Sequence, residues 1–210
     1  MNIINNLEII KNNLIFIKSK AKIIAVCKNQ KFSIIKNLLD YGHCDFGENK
    51  VQEAYAKWNP ILNNYQNVNL HFIGKLQTNK AKQAFQIFNY IHSLDNDKLA
   101  RYFCDLETSL KKKIKYFIQV NVGNEPQKNG IHVDQSNKFI QYCINELKLN
   151  VIGLMCIPPA EDDPNLHFIK LADLAKKNNL NELSMGMSND YESAINNGST
   201  YIRIGSKIFN

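Results

Sequence analysis

The hydrophobic pattern of this chain changes period repeatedly. Ile3, Leu7, Ile10, Leu14 and Ile17 recur every three to four residues, with Asn, Glu and Lys between them. That stripe predicts an amphipathic helix whose wet side carries Glu8 and Lys11. Eight short apolar runs follow, each closed by polar or glycine residues: IIAVCK (23–28), CDFGEN (44–49), NLHFIGK (69–75), YIHSL (90–94), YFIQVN (116–121), VIGLMC (151–156), ELSMGM (182–187) and YIRIGS (201–206). Such runs read as buried parallel strands. Between them, segments 32–41, 50–64, 78–89, 97–112, 134–147 and 165–178 are helical in pattern.

Eight strand–helix alternations favour an α/β fold of the closed (β/α)8 TIM-barrel type over an open doubly wound sheet. The chain stops four residues after its eighth run, so the last outer helix is almost missing. The N-terminal helix, residues 2–18, is expected to pack on the outside and cover the gap between strands eight and one. No linker, low-complexity tract or repeat beyond the βα period interrupts the pattern, and residues 1–210 read as one domain.

Composition narrows the function classes. With 210 residues, 44% apolar and 21% charged, the chain is long enough for one sizeable core. The net charge of +7 is scattered, and its one run, Lys111–Lys113, reads as a solvated helix end. No aromatic-interleaved basic patch points to nucleic acid. Five cysteines without a CxxC pair fit a reduced, cytoplasmic protein better than a disulfide framework. Five histidines without ligand spacing predict no metal. The first helix lacks the form of a signal peptide, and no stretch approaches the roughly 18 apolar residues of a membrane span.

Ligands of such barrels sit at the carboxyl ends of the strands, with phosphate commonly after strands seven and eight. The unusual residues of this chain fall there. Ile24, Val26 and Lys28 share one face of the first strand. If that face points inward, Lys28 stands at the barrel mouth, where desolvation would favour the neutral amine that attacks an aldehyde. Ser188 and Asn189 precede a helical stretch, and Asn189 with Glu192 fits a capping box whose free N–H groups would attract an anion. Gly205 would let a backbone approach closely, and Ser206 with the following N–H groups could form a second anion-holding turn. Arg203 shares a face with Gly205; it is either half of an ion pair or the partner of a pyridine nitrogen. Asn49 ends strand two where it could line the mouth. Together these sites fit a flat ligand with an aldehyde, a ring nitrogen and a phosphate, as in pyridoxal 5'-phosphate (PLP). Lys128 and Cys156 lie at other strand tips and read as scaffold.

The segments AVCK, FGENKVQEA, HFIGKLQTNK, HSLDNDKLA, QVNVGNEPQKNGI, GLMCIPP and LSMGMSNDYESAINNGSTYIRIGSKIF, in this order over residues 21–209, resemble the PLP homeostasis protein family, also called the "proline synthase co-transcribed" family. The resemblance implies a barrel like the N-terminal domain of alanine racemase. It implies that Lys28 holds PLP as an internal aldimine. Ser188, Gly205 and Ser206 would hold the phosphate, and Arg203 would face the pyridine nitrogen. It further implies a carrier or regulator of PLP without an established reaction. Exchange with PLP-dependent apo-enzymes and action as a monomer are expected alongside that role. The chain departs from the family pattern in reading VCKNQK around the lysine, in having Ser206 for the common threonine, and in ending on Asn210.

Two other classes compete. An amino-acid racemase needs a base on each face of the bound substrate, and the alanine racemase tyrosine comes from a second domain for which this chain is expected to have no room. A Schiff-base aldolase would use a lysine and a phosphate site on a sugar phosphate. An arginine at the ring nitrogen only donates hydrogen bonds and would mute carbanion chemistry; alanine racemase shares it, so that feature alone does not decide, and the expected lack of a second domain is what favours the non-enzymatic reading.

Overall fold

The computed structural model describes residues 2–210. Eight parallel strands close on themselves: β1 (Lys22–Val26), β2 (Asp45–Glu48), β3 (Asn69–Phe72), β4 (Tyr90–Leu94), β5 (Lys115–Asn121), β7 (Val151–Met155), β8 (Glu182–Met187) and β9 (Tyr201–Ile204). A ninth, β6 (Ile131–His132), adds two residues beside the end of β5 and is absent from the sequence pattern. Pairings of β4 with β5 and of β9 with β1 complete the ring. The expected TIM barrel is therefore present.

Helices α2 (Phe32–Asp40), α3 (Val51–Trp58), α4 (Ala81–Ile87), α5 (Asp97–Leu110), α6 (Val133–Gln141), α7 (Pro164–Lys177) and α8 (Tyr191–Asn196) surround it, and α9 (Ser206–Phe209) is a single turn. Strand alternation sorts the side chains. Ile23, Ala25 and Cys27 of the β1 region join the main core between strands and helices. Ile24 instead meets Tyr90, Phe117, Met155 and Tyr201 in a second cluster inside the barrel. This is the inward face expected for Ile24.

The first helix, α1 (Ile3–Phe16), covers the place left by the short α9. Asn2 caps it by accepting from the Ile4 N–H at 3.1 Å. Leu7, Ile10 and Leu14 are buried, each contributing about 1.5–3 kcal/mol by leaving water. Asn6 Nδ2 donates to the Ile208 carbonyl at 3.0 Å, and Asn13 Nδ2 donates to Tyr191 Oη at 2.8 Å. These bonds tie α1 to α9 and α8, as the outside-packing expectation requires.

Among the described residues no helix is long and apolar enough to cross a membrane.

Candidate cofactor site

A cavity of about 910 Å³ opens at the carboxyl ends of the strands. Lys28, Asn49, Ser188, Arg203, Gly205 and Ser206 all line it, as do Lys75, Gln119 and Lys128. The six residues singled out in the sequence thus converge, although they come from the ends of four strands far apart in the chain.

Lys28 lies beyond its strand. β1 ends at Val26, and Lys28 occupies a turn with Asn29, whose φ of 61° is left-handed. Its side chain is exposed, so the burial expected to prime the amine is not present. Val26, on the same side of the chain, forms part of the wall beneath it. Asn49 is half-buried at the end of β2. Its backbone fixes the residue at position 74: a Cβ there would fall 2.1 Å from the Asn49 carbonyl oxygen, so only glycine lets the two loops meet. Its neighbour Glu48 turns away from the mouth. It is buried behind the wall, where Oε1 accepts from Lys57 Nζ at 2.7 Å and Trp58 Nε1 at 3.0 Å.

The turns after β8 and β9 stand side by side. Ser188 is 7% exposed, and its Oγ accepts only a long bond, 3.4 Å, from the Lys207 N–H. Among the described residues, the N–H groups of Ser188, Asn189, Gly205 and Ser206 have no backbone acceptor. The capping box expected at Asn189 does not form. α8 begins one residue later, its cap position Asp190 makes no side-chain cap bond, and Asp190 Oδ1 instead accepts from the Met187 N–H at 2.6 Å. That turn leaves the N–H groups of residues 188 and 189 unspent. Gly205 has a φ of −113°, and an added Cβ would meet nothing closer than 3.6 Å. The close approach expected at Gly205 is therefore not one made by the protein itself.

Arg203 is only 4% exposed. Nη1 donates to the Ser184 carbonyl at 2.6 Å and to Ser184 Oγ at 2.7 Å, and Nη2 donates to the Cys156 carbonyl at 2.9 Å. No carboxylate forms a salt bridge with it among the described residues. The ion-pair alternative for Arg203 is thus not realised. Burial lowers its pKa from the usual arginine value, yet a guanidinium remains charged. The Nε–H and one Nη2–H remain unspent. Cys156 contributes only its carbonyl: its own thiol is buried, which pushes the pKa up to about 12.

Sequence reasoning missed the groups behind Arg203. Asp45, His71, His92 and Ser184 form a polar row inside the barrel, fully buried except at Asp45. Strand parity could have found them, because each occupies a lumen-facing position of its strand. The search for metal-ligand spacing passed over both histidines.

A closed parallel barrel with an unpaired buried arginine and paired N–H turns after its last two strands falls in the class of the alanine racemase N-terminal domain, whose family profile matches residues 2–210. Within that class the chain belongs to the pyridoxal phosphate homeostasis protein family. It is 36% identical over 197 residues to the pyridoxal phosphate homeostasis protein of Synechocystis, covering 90% of each chain. It is 35% identical over 229 residues to the one of Buchnera aphidicola, covering 100% of this chain and 98% of that relative. The solved structure of PipY from Synechococcus elongatus with PLP bound superposes with a TM-score of 0.89 at 30% identity, covering 100% of both chains.

Proposed function

We propose that the cavity binds pyridoxal 5'-phosphate and that the protein serves in vitamin B6 homeostasis, as carrier or regulator rather than as a catalyst. One observation carries this reading. Arg203 is a buried cation without a carboxylate, and it retains free N–H groups beside a cavity. A buried charge of this kind calls for an acceptor from a ligand. A neutral ring nitrogen supplies one, whereas a protonated nitrogen would face a fixed positive charge.

The remaining residues fit the same ligand. Ser188 Oγ and the free N–H groups of residues 188, 189, 205 and 206 suit a phosphate. Lys28 offers an amine on the same cavity, with Asn49 beside the mouth. When bound, the cofactor supplies an aldehyde that condenses with amines and a ring that withdraws electrons. Arg203 cannot deliver a proton to that ring, which weakens the second property and leaves exchange with amines intact. Relatives that share 31–36% identity carry the name of a homeostasis protein. We place residues 1–210 in one PLP-binding domain, acting as a cytoplasmic monomer that exchanges the cofactor with apo-enzymes.

Titration of the purified protein with PLP, followed by borohydride reduction and mass spectrometry, tests the proposal. One added pyridoxyl group on Lys28 is expected. A protein that takes up no PLP, or carries the group on another lysine with Lys28 unmodified, overturns it.

A further inference from the structure

Beneath the cavity a continuous row of polar groups crosses the inside of the barrel. Arg203 Nη1 donates to Ser184 Oγ at 2.7 Å, and Ser184 Oγ lies 2.8 Å from His92 Nδ1. His92 Nε2 lies 3.0 Å from His71 Nδ1, and His71 Nε2 lies 3.0 Å from Asp45 Oδ1. Ser184, His71 and His92 have no exposed surface, while the Asp45 side chain is 18% exposed. His71 stacks on Tyr90 and His92 on Phe117, with ring centroids 4.2 and 4.3 Å apart, so neither imidazole is free to turn.

The chemistry of the ends fixes the direction of every bond. A guanidinium only donates, and a carboxylate only accepts. Ser184 Oγ accepts from Arg203, and its own proton finds an acceptor at His92 Nδ1. His92 must then carry its proton on Nε2 and give it to His71 Nδ1. His71 carries its proton on Nε2 and gives it to Asp45. The other arrangement needs a charged His71 beside Asp45 and leaves the Ser184 proton without a partner. Burial lowers the pKa of both imidazoles, His92 strongly, which favours the neutral pair.

We infer that His92 and His71, with Ser184, are positioning residues for Arg203: a one-directional relay of neutral groups that aims its guanidinium at the cavity and answers its charge with the Asp45 carboxylate across the barrel. Aligned dipoles present their acceptor ends to the buried cation, which otherwise has only the two carbonyls of Ser184 and Cys156. A fixed guanidinium selects ligands that bring a bare acceptor atom to it. That last step rests on the PLP reading; the relay itself does not.

Nitrogen-15 NMR of the ligand-free protein at neutral pH decides the relay. Both imidazoles should be neutral with the proton on Nε2. A charged His71, or a proton on Nδ1 of either ring, overturns the inference whatever the ligand is. The consequence is read with PLP and with its analogue in which carbon replaces the ring nitrogen. His92→Phe keeps the stack on Phe117 but ends the relay, and PLP affinity should fall about tenfold or more while the analogue is unaffected. His92→Gln has one acceptor and one donor in suitable separation and should restore PLP binding. Equal losses for both ligands, or no loss for either, reduce His92 to packing and overturn the positioning role. If His92→Phe fails to fold, Ser184→Ala, which cuts the relay at its first link, is read with the same two ligands and the same outcomes, and the NMR result stands by itself. A wild-type protein that ignores PLP would sink the cofactor reading and leave the NMR result standing.

Discussion

Acidification should destabilise this barrel well above the pH at which carboxylates titrate. The cause is the pair of buried imidazoles: burial holds His92 well below, and His71 below, the ordinary value of 6.5. The unfolded chain takes up a proton near pH 6.5 that the folded barrel refuses, so stability is full above that value and falls as the pH drops through it. Between pH 7.5 and 5.5 each histidine that stays neutral when folded removes about 1.4 kcal/mol. His92 contributes that amount, and His71 adds up to as much again. His43, lowered chiefly by burial, acts in the same direction. A combined loss of roughly 2–3 kcal/mol is a large fraction of the roughly 5–15 kcal/mol that holds a domain folded. Asp45 does not blur the interval. Although its burial opposes this, the bond from His71 leaves it below the usual aspartate value, so its contribution is lost only at lower pH. Urea unfolding at pH 7.5, 6.5 and 5.5 measures the effect, with His92→Gln as the control that should flatten the slope by about 1.4 kcal/mol. A stability that stays level to pH 5.5, or an unaltered slope in the control, would refute the reasoning.

Three other outcomes are expected. Ser188→Ala combined with Ser206→Ala should weaken PLP at least tenfold yet spare pyridoxal, which lacks the phosphate; equal losses in paired absorbance titrations would remove the phosphate from these turns. Leu7→Ala should cost about 2–5 kcal/mol in denaturant unfolding, because Leu7 has no exposed surface beneath α1, and a loss under 1 kcal/mol would mean that the helix is dispensable. Gly74→Ala should lower the melting temperature by several degrees, since its Cβ would collide with the Asn49 carbonyl; an unchanged melting curve would show that the two loops part easily.

The barrel was legible because eight apolar runs alternate with helical segments, and a two-residue period tells lumen from wall. Three of the eight strands, β4 (Tyr90–Leu94), β5 (Lys115–Asn121) and β8 (Glu182–Met187), end where the pattern ends them. Elsewhere the apolar run continues past the last ladder bond, and Lys28 shows the consequence: read as a strand tip, it stands two residues into open loop. Hydropathy cannot tell a strand end from the loop that carries a ligand group. The capping box at Asn189 failed for a different reason, since the neighbouring Asp190 competes for the turn through Met187. The row behind Arg203 escaped because its members are far apart in the chain and meet only when the ring closes.

The bond from Asn6 to the carbonyl of Ile208 joins residues 202 apart in sequence, and the Ile208 N–H in turn donates to the Gly205 carbonyl of the anion-facing turn. A ribosome releases the opening helix long before its seat exists. The turn at residues 205–208 therefore completes both the helix's berth and the anion-facing corner at once, and a change that pries up Asn6 would loosen that corner before it disturbed the strand ring.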